Sequence, residues 1–310
     1  MRGPIVTLDA HSPEAQAIQA LFTQTLVICG VIGLVVAGLV GYCVYRFRER
    51  PGDVMPAQID GNTRLEVGWT ILPFLIVVGL VALTVKAVSA SDPPAAGRKP
   101  DLVVVGHQWW WEIKYASGAI TANEIHIPVG KKLLVQIEAA DVIHDFWVPQ
   151  LARKIDAVPG HPVTIWMQAD APGEYQGACA EYCGAQHAWM RIVVIADSPT
   201  DFEAWERKER APAPAPVSEA EVRGARIYAD KTCVKCHAIG GLGEQSRVAP
   251  DLTHLAARRT LGAGVLTNTK ENLALWLEKP QEVKPQSHMP DLKLTKGEVA
   301  DLVAYFESLK

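Results

Sequence analysis

The stretch Cys179-Ala-Glu-Tyr-Cys183-Gly-Ala-Gln-His187-Ala-Trp-Met190 brings two thiols, an imidazole and a thioether into one short segment. Soft sulfur and nitrogen donors favour copper over calcium or magnesium. A structural zinc site takes four Cys, His or carboxylate ligands and has no use for a methionine. We therefore predict a copper-binding loop. A disulfide between the two cysteines is the alternative, and the adjoining His187 and Met190 make it the weaker interpretation.

The number of cysteines bears on how many copper ions the loop would hold. One Cys, one His and one Met, with a second His from an earlier strand, would form a mononuclear blue-copper site. Two thiolates four residues apart can instead bridge a pair of copper ions, and sharing an electron over both metals changes the bond lengths little. Such a centre relays electrons. The remaining imidazole is expected from a strand end, with His144 preferred and His107, His126 and His161 as competitors.

Short β-branched and aromatic runs, separated by Gly and Pro, surround this loop from Asp101 to about Asp197. Regularly spaced strands with turn signals are typical of a β-sandwich or barrel. We predict a cupredoxin-like antiparallel β-sandwich over residues 97–200. The predicted strands are Leu102 to Val105, Trp109 to Tyr115, Glu124 to Ile127, Leu133 to Glu138, Val163 to Gln168 and Met190 to Ile195.

A second motif, Cys233-Val-Lys-Cys236-His237, matches the attachment signature of a c-type haem, in which two thioethers fix the porphyrin and the imidazole binds the iron. A thioredoxin-like motif would follow a strand in a βαβ unit, and a zinc site would need a second ligand pair, which the sequence lacks. The sixth iron ligand is expected far downstream. Met289 fits this role, and the adjacent His288 is its competitor.

The segment that carries this haem motif, residues 218–310, is helical in pattern. Thr295 and Glu298 form a capping box before an amphipathic final helix, and Pro280 ends an earlier one. We predict an all-α class I cytochrome c domain. Three Ala-Pro repeats at 211–216 predict a stiff spacer, within a linker at 201–217.

The N-terminal part, residues 1–96, contains two runs long and apolar enough to cross a bilayer, at about 21–45 and 67–88. The first begins too far from Met1, and is too long, for a cleaved signal peptide. Ser12 followed by Pro13 predicts the start of the first helix. A second linker is predicted at 91–100. The basic residues favour a cytoplasmic loop and outer termini in a bacterial inner membrane: Arg46, Arg48, Arg50 and Arg64 between the runs, against Arg2 and Lys86 outside them.

Composition excludes one large class of function. The net charge is −4 and no long Lys/Arg run occurs, so the basic footprint of a nucleic-acid-binding protein is missing.

Together, three motifs resemble subunit II of the haem-copper cytochrome c oxidases, whose copper site is the dinuclear CuA centre. The resemblance covers residues 1 to about 197 and, with the haem domain, extends to the caa-type oxidases. The motifs are Asp141-Val-Ile-His144, Cys179-x-Glu181-x-Cys183-x-x-x-His187-x-x-Met190 and Gln108-Trp109-Trp110-Trp111.

The resemblance implies a role for each matching residue. The copper ligands would be His144, Cys179, Cys183, His187, Met190 and the backbone carbonyl of Glu181. The Glu181 carboxylate would reach a magnesium ion at the boundary with subunit I. Trp109 would be an exposed aromatic through which electrons enter, with a half-buried strand residue as the alternative. Glu66 would be an acid at the mouth of a proton path. An ordinary first-turn acid is the alternative for Glu66. Lys114 departs from the family, which often carries an acid there.

The expected function follows from this resemblance. Electrons would pass from a c-type haem to the copper pair and on to subunit I, which reduces dioxygen to water with proton translocation. The expected partners are subunits I and III, membrane lipid, and an electron-donor complex or small cytochrome. Two alternatives remain open: the CuA subunit of a nitric oxide reductase, and a free-standing membrane-tethered electron carrier.

Overall fold

The computed structural model describes residues 3–92, 97–242 and 248–310. The chain divides into two compact units, one formed by Gln16–Asp92 and the other by Met1–Ala15 with Pro93–Lys310. Arg2 and part of the predicted linker at 91–100 lie outside the described residues.

Two long helices, α1 (Pro13–Arg46) and α2 (Thr63–Ser91), contain the predicted spans. Both are long and apolar enough to cross a membrane. The predicted start of α1 is confirmed, since the backbone N–H of Ala15 donates to Ser12 Oγ at 2.9 Å. Asn62 caps α2 in the same way, by accepting from the backbone N–H of Leu65 at 3.3 Å.

Ten strands of the described residues build a β-sandwich, as predicted. They are β1 (Leu102–His107), β2 (Trp110–Tyr115), β3 (Ile120–Ala122), β4 (Glu124–Pro128), β5 (Leu133–Ala139), β6 (His144–Trp147), β7 (Ile155–Ala157), β8 (Val163–Met167), β9 (Gly173–Cys179) and β10 (Arg191–Asp197). One sheet has the order β3-β2-β1-β5-β8 and the other β4-β10-β9-β6-β7.

The sheets are mixed rather than purely antiparallel, which corrects the predicted pairing. β1 runs parallel to β5, and β10 runs parallel to β4. In each case several strands lie between the two partners along the chain, so the second partner can enter its sheet in the same direction as the first. The buried faces of both sheets share one apolar core, which includes Trp111, Ile137 and Phe146.

A helix lies where the sequence predicts a linker at 201–217. This helix, α3 (Pro199–Glu209), packs Phe202 and Trp205 against the sandwich core. The Trp205 ring stacks on His126 with the ring centroids 4.2 Å apart. The packing of the sandwich therefore continues through α3, and the Ala-Pro repeats at 211–216 follow it without a helix or strand.

The C-terminal domain is helical, as predicted, and consists of α4 (Glu219–Asp230), α5 (Lys270–Glu278), α6 (Pro280–Val283) and α7 (Lys296–Ser308). The capping box of Thr295 and Glu298 is confirmed. One short hairpin, β11 (Thr260–Leu261) with β12 (Leu266–Thr267), departs from an all-α domain.

Helices α4 and α7 cross closely at Gly224. A Cβ at this position would lie 2.1 Å from the backbone oxygen of Asp301 and 2.7 Å from Tyr305 Cβ. Because backbone atoms cannot rotate away, we expect Gly224→Ala to lower the free energy of unfolding of this domain by about 1–3 kcal/mol, as measured by denaturant titration. Gly297→Ala is the control, because Gly297 lies on α7 with no atom within 4 Å of the position of its Cβ. This variant should not lower the free energy of unfolding. Equal stability of the two variants would contradict this account of the crossing.

Candidate metal centre

The sandwich places the predicted copper-binding loop at the end of one sheet. β9 ends at Cys179, and the chain then passes through a 3-10 turn, His187–Trp189, before β10 begins at Arg191. β6 pairs with β9, with Phe146 opposite Cys179. His144, the first residue of β6, therefore lies beside the loop although it is 35 positions away in the sequence.

Five side chains predicted to bind the metal converge in this region, and Cys183 lies close to three of the others. Its Sγ lies 3.7 Å from Cys179 Sγ, 3.7 Å from His187 Nδ1 and 3.9 Å from Met190 Sδ. Cys179 Sγ lies 3.9 Å from His144 Nδ1. All four cysteine and histidine ligand atoms are thus close neighbours, and the two cysteines carry free thiols rather than a disulfide.

The backbone adds a sixth donor. The carbonyl oxygen of Glu181 lies 3.2 Å from Cys179 Sγ, which is the carbonyl that the resemblance implies as a ligand. The Glu181 side chain is exposed, and its Oε1 accepts from the backbone N–H of Tyr182 at 3.1 Å.

Asp141 orients the histidine that arrives from β6. Its Oδ1 lies 2.8 Å from His144 Nε2, so that Nδ1 is left to face the sulfurs. Backbone N–H groups of Gln108 and Val142 donate to the same carboxylate, each at 2.7 Å. Burial opposes ionisation of Asp141, yet these hydrogen bonds lower its pKa below the usual value. An acid that holds the second nitrogen of a ligand imidazole fixes its tautomer and its direction.

Two of the three competing histidines are engaged elsewhere, and the third, His161, is exposed. His107 stacks on Trp110 with the ring centroids 4.4 Å apart, and its Nε2 lies 3.4 Å from Glu112. His126 Nδ1 lies 2.6 Å from Asp197. Of the candidates that the sequence left open, the structure brings His144 to the cysteines.

Two residues outside the loop support it. The sequence motif suggested no individual role for the first, Gln108, and a different role for the second, Trp109. The side-chain amide of Gln108 and the indole Nε1 of Trp109 both donate to the backbone oxygen of Cys183, at 2.8 and 2.9 Å. Gly184 has a φ of +111°, and a Cβ there would lie 3.0 Å from the Trp109 ring. The loop turns sharply at this glycine and rests against the indole. The Gln108-Trp109 pair was visible in the sequence, but its partner carbonyl was not.

The two thiols differ in acidity because they share a hydrogen bond. The hydrogen bond from Cys183 lowers the pKa of Cys179, and His144 and nearby backbone groups act in the same direction against burial. The same contact and burial raise the pKa of Cys183. Cys179 is therefore the thiol that ionises first.

The donor set fits copper. Two thiols, two imidazoles, a thioether and a carbonyl face a common centre, and the ligand atoms of His144, Cys179 and Cys183 all lie within 4.8 Å of one another. Thiolates bind a metal such as zinc at about 2.3 Å, so sulfurs 3.7 Å apart can both reach the same ion. Soft donors in this number suit copper rather than a hard cation.

The C-terminal domain holds a cavity of about 340 Å³ whose lining includes the predicted haem-binding residues. They are Cys233, Cys236, His237, His288 and Met289. His237 Nδ1 lies 2.6 Å from the carbonyl oxygen of Pro250, which leaves Nε2 for a metal. Burial lowers the pKa of His237 and so favours the neutral imidazole that a metal ligand requires. The cavity and its donors fit a c-type haem.

Trp109 lies against this cavity instead of facing solvent. The resemblance implied an exposed indole, and this is wrong, since the side chain is 8% exposed. The ring of His288 packs on it, with the ring centroids 5.1 Å apart. The C-terminal domain covers the face that Trp109 would otherwise present.

Glu66, at the start of α2, makes a local contact. Its Oε1 accepts from the backbone N–H of Asn62 at 3.1 Å, as expected for an acid in the first turn of a helix. Its role in a proton path stays a prediction.

The fold and the two donor sets define a membrane-anchored, cupredoxin-like copper domain joined to a c-type cytochrome domain. Comparison with known families agrees in each part. The transmembrane domain of cytochrome c oxidase subunit II matches residues 4–86, its periplasmic domain matches 119–197, and cytochrome c matches 221–310. The chain belongs to the cytochrome c oxidase subunit 2 family and carries a fused cytochrome c domain.

The chain aligns with relatives over most of their length. The chain is 34% identical to cytochrome c oxidase subunit 2 of Alkalihalophilus pseudofirmus, over 99% of this chain and 91% of that protein. It is 32% identical to the Bacillus subtilis subunit, over 87% and 82%. Among solved structures, the periplasmic domain of subunit II of cytochrome oxidase from Bradyrhizobium japonicum matches 36% of this chain and 96% of its own, with 32% identity and a TM-score of 0.35.

Proposed function

We propose that this chain is the subunit through which electrons enter a terminal oxidase. Cys233, Cys236, His237 and Met289 would hold a c-type haem, and the ligands of the copper-binding loop with His144 would hold a copper pair; when bound, these groups would supply one-electron transfer chemistry. The chain would pass electrons on to a haem-copper subunit I that reduces dioxygen to water with proton translocation. Subunit III, a small cytochrome or other donor, and a magnesium ion at Glu181 complete the proposal.

One observation carries this proposal: Trp109 contacts the copper-binding loop and also lines the haem cavity. Its indole Nε1 donates to the carbonyl of Cys183 at 2.9 Å, and its ring packs against His288 in the haem cavity. A hydrogen bond therefore joins Trp109 to the copper-binding loop, and ring packing joins it to a residue that lines the haem cavity. Tethering on one chain also keeps the effective concentration of donor and acceptor high.

Each ligand has a distinct task in holding the copper pair. Cys179 and Cys183 would supply the thiolates, His144 and His187 the imidazoles, and Met190 the thioether. Asp141 keeps His144 in position, and the buried surroundings of Met190 exclude water from the sulfur side of the site.

The orientation in the membrane is part of the proposal. Four arginines favour a cytoplasmic loop: Arg46 at the end of α1, Arg48 and Arg50 after it, and Arg64 at the start of α2. Both termini, with the copper and cytochrome domains, would then lie on the outer side of a bacterial inner membrane. Protease added to intact spheroplasts should remove the C-terminal domains and spare the loop.

Metal analysis and gas uptake test the function. We expect the full-length chain to contain a copper pair with a shared-valence electron paramagnetic resonance signal and one haem. When purified with its membrane partners it should consume dioxygen. Consumption of nitric oxide instead would indicate the reductase alternative, and the absence of a co-purifying haem-bearing subunit would indicate a free-standing carrier. A single copper with a mononuclear spectrum would reject the paired centre.

A further inference from the structure

Two buried, charged side chains of opposite sign reach across the boundary between the sandwich and the cytochrome domain, one from each domain. Lys284, which follows α6 of the cytochrome domain, is 4% exposed, and Glu124, the first residue of β4 in the sandwich, is 2% exposed. Lys and Glu are almost never fully buried without partners. Neither residue takes part in the copper or haem donor sets.

Lys284 reaches from the cytochrome domain to the backbone of the sandwich. Its Nζ donates to the carbonyl oxygens of Trp109 at 2.9 Å and of Trp189 at 3.1 Å, and to Gly262 of its own domain at 2.9 Å. Three carbonyls match the three N–H donors of an ammonium. Burial lowers the pKa of Lys284 to about 7, which reflects the cost of withdrawing the charge from water.

Glu124 makes the reciprocal connection. Its Oε1 accepts from the backbone N–H groups of Arg259 at 2.8 Å and Thr260 at 3.0 Å, both in the cytochrome domain. The Thr260 hydroxyl donates to the same oxygen at 3.3 Å. Each domain therefore inserts one charged side chain into the backbone of the other.

Apolar packing lies between these two charges. Trp110 and Ala122 of the sandwich form a buried cluster with Ala263 of the cytochrome domain, and the backbone N–H of Arg191 donates to the Ala263 carbonyl at 3.2 Å. A packed apolar centre flanked by satisfied polar contacts is typical of a stable interface.

We infer that Lys284 and Glu124 are positioning residues that hold the cytochrome domain in one pose over Trp109. The surface of the sandwich around Trp109 is then an internal electron-transfer interface and not a binding site for a separate donor protein. The inference deepens the proposed function and rests on it. Lys284 donates a hydrogen bond to the backbone carbonyl of Trp109. The residue that holds the cytochrome domain in place therefore also holds the backbone of the tryptophan whose indole lies between the copper and haem sites. A separate donor would have to deliver its electron to the cytochrome domain.

Lys284→Met tests the inference because methionine keeps an unbranched apolar stem but leaves three carbonyls without their donor. Truncating one partner of a buried, hydrogen-bonded charge lowers a docking constant by about 30-fold or more. We expect hydrogen exchange at the amides of Arg259 and Thr260, which bond to Glu124 in the docked pose, to accelerate by a similar factor. Exposed Lys279, which pairs with Glu282 at 3.0 Å, provides the control variant Lys279→Met with wild-type exchange.

Electron transfer supplies a second measurement in the complete oxidase complex. After flash reduction of the haem, the copper absorbance should change at a rate that is independent of salt in the wild type. In Lys284→Met the rate should fall at least tenfold and become sensitive to salt, because the exposed Arg259–Glu174 ion pair would then guide re-docking and is screened by salt. Both copper and haem spectra should stay unchanged, which a general structural defect would not allow.

Glu124 allows the same test from the other domain. Glu124→Leu should match Lys284→Met, whereas Glu124→Gln keeps an oxygen acceptor for both amides and should stay near the wild type. Wild-type exchange and transfer rates in both Lys284→Met and Glu124→Leu would overturn the inference. A wild-type complex in which flash-reduced haem never reduces copper would instead refute the proposed function, and the exchange measurement would still decide the role of the two charges.

Discussion

Cys183→Ser is expected to abolish the paired-copper electron paramagnetic resonance signal of the full-length chain. Cys183 Sγ lies within 3.9 Å of three other predicted ligand atoms, on Cys179, His187 and Met190. A serine hydroxyl is a harder donor that does not ionise at neutral pH, so it cannot replace a bridging thiolate for a soft metal. Copper content should fall to one ion per chain or fewer.

The matched control for this experiment is Cys29→Ser, since Cys29 lies in α1 with an exposed side chain. This variant should keep the copper content and the signal of the wild type. The haem absorbance should be unchanged in both variants, because the cytochrome domain has its own core. A shared-valence signal that survives in Cys183→Ser would disprove the bridging role and leave the loop as a mononuclear site.

Local motifs allowed the sequence to predict most of the metal site. The loop ligands lie within twelve residues, so their spacing alone indicated a common centre. His144 was the preferred histidine, but the residues alone left three competitors open, because its place beside the loop depends on the pairing of β6 with β9. Asp141, three residues before His144, was part of a quoted motif, yet its role in orienting the imidazole required the folded distance of 2.8 Å.

Strands with strong β-branched patterns were predicted, whereas weak ones were missed. β6 and β7 contain four and three residues, too few for a periodic signal. β9 contains Gly173 and Gly177, and glycine weakens a strand pattern. A Cβ on Gly177 would lie 2.5 Å from the backbone oxygen of Trp147, so the close approach of β6 requires a glycine here. The same glycine weakens the sequence pattern by which β9 could have been predicted. The parallel pairings had no local signature at all.

The contacts between the domains were beyond prediction for a related reason. Lys284 and Glu124 resemble ordinary surface charges in the sequence, and partners in the other domain are far away along the chain: Lys284 is 175 residues from Trp109, and Glu124 is 135 from Arg259. The resemblance to subunit II suggested an exposed Trp109, because it covered residues 1 to about 197 and took no account of the domain that follows. Only folding of both domains together shows that the indole is covered.

Met289→Ala is expected to lower the reduction potential of the haem by on the order of 0.1 V or more, within the range of about 0.8 V that axial ligands span. A thioether opposite an imidazole raises the potential of a c-type haem. Met289 packs against the apolar core of the cytochrome domain and lines the haem cavity. Gln281 Nε2 donates to the carbonyls of Ser287 and Met289, each at 2.7 Å, which fixes this segment.

His288→Ala separates the two candidate ligands, because both side chains line the cavity. The His288 ring packs on Trp109, an arrangement that directs it toward the sandwich. The absorbance band specific to sulfur-ligated ferric haem should therefore survive in His288→Ala and disappear in Met289→Ala. Potentiometric titration of both variants measures the shift. A wild-type haem that lacks this band, with a potential that changes in His288→Ala and not in Met289→Ala, would assign the iron to His288.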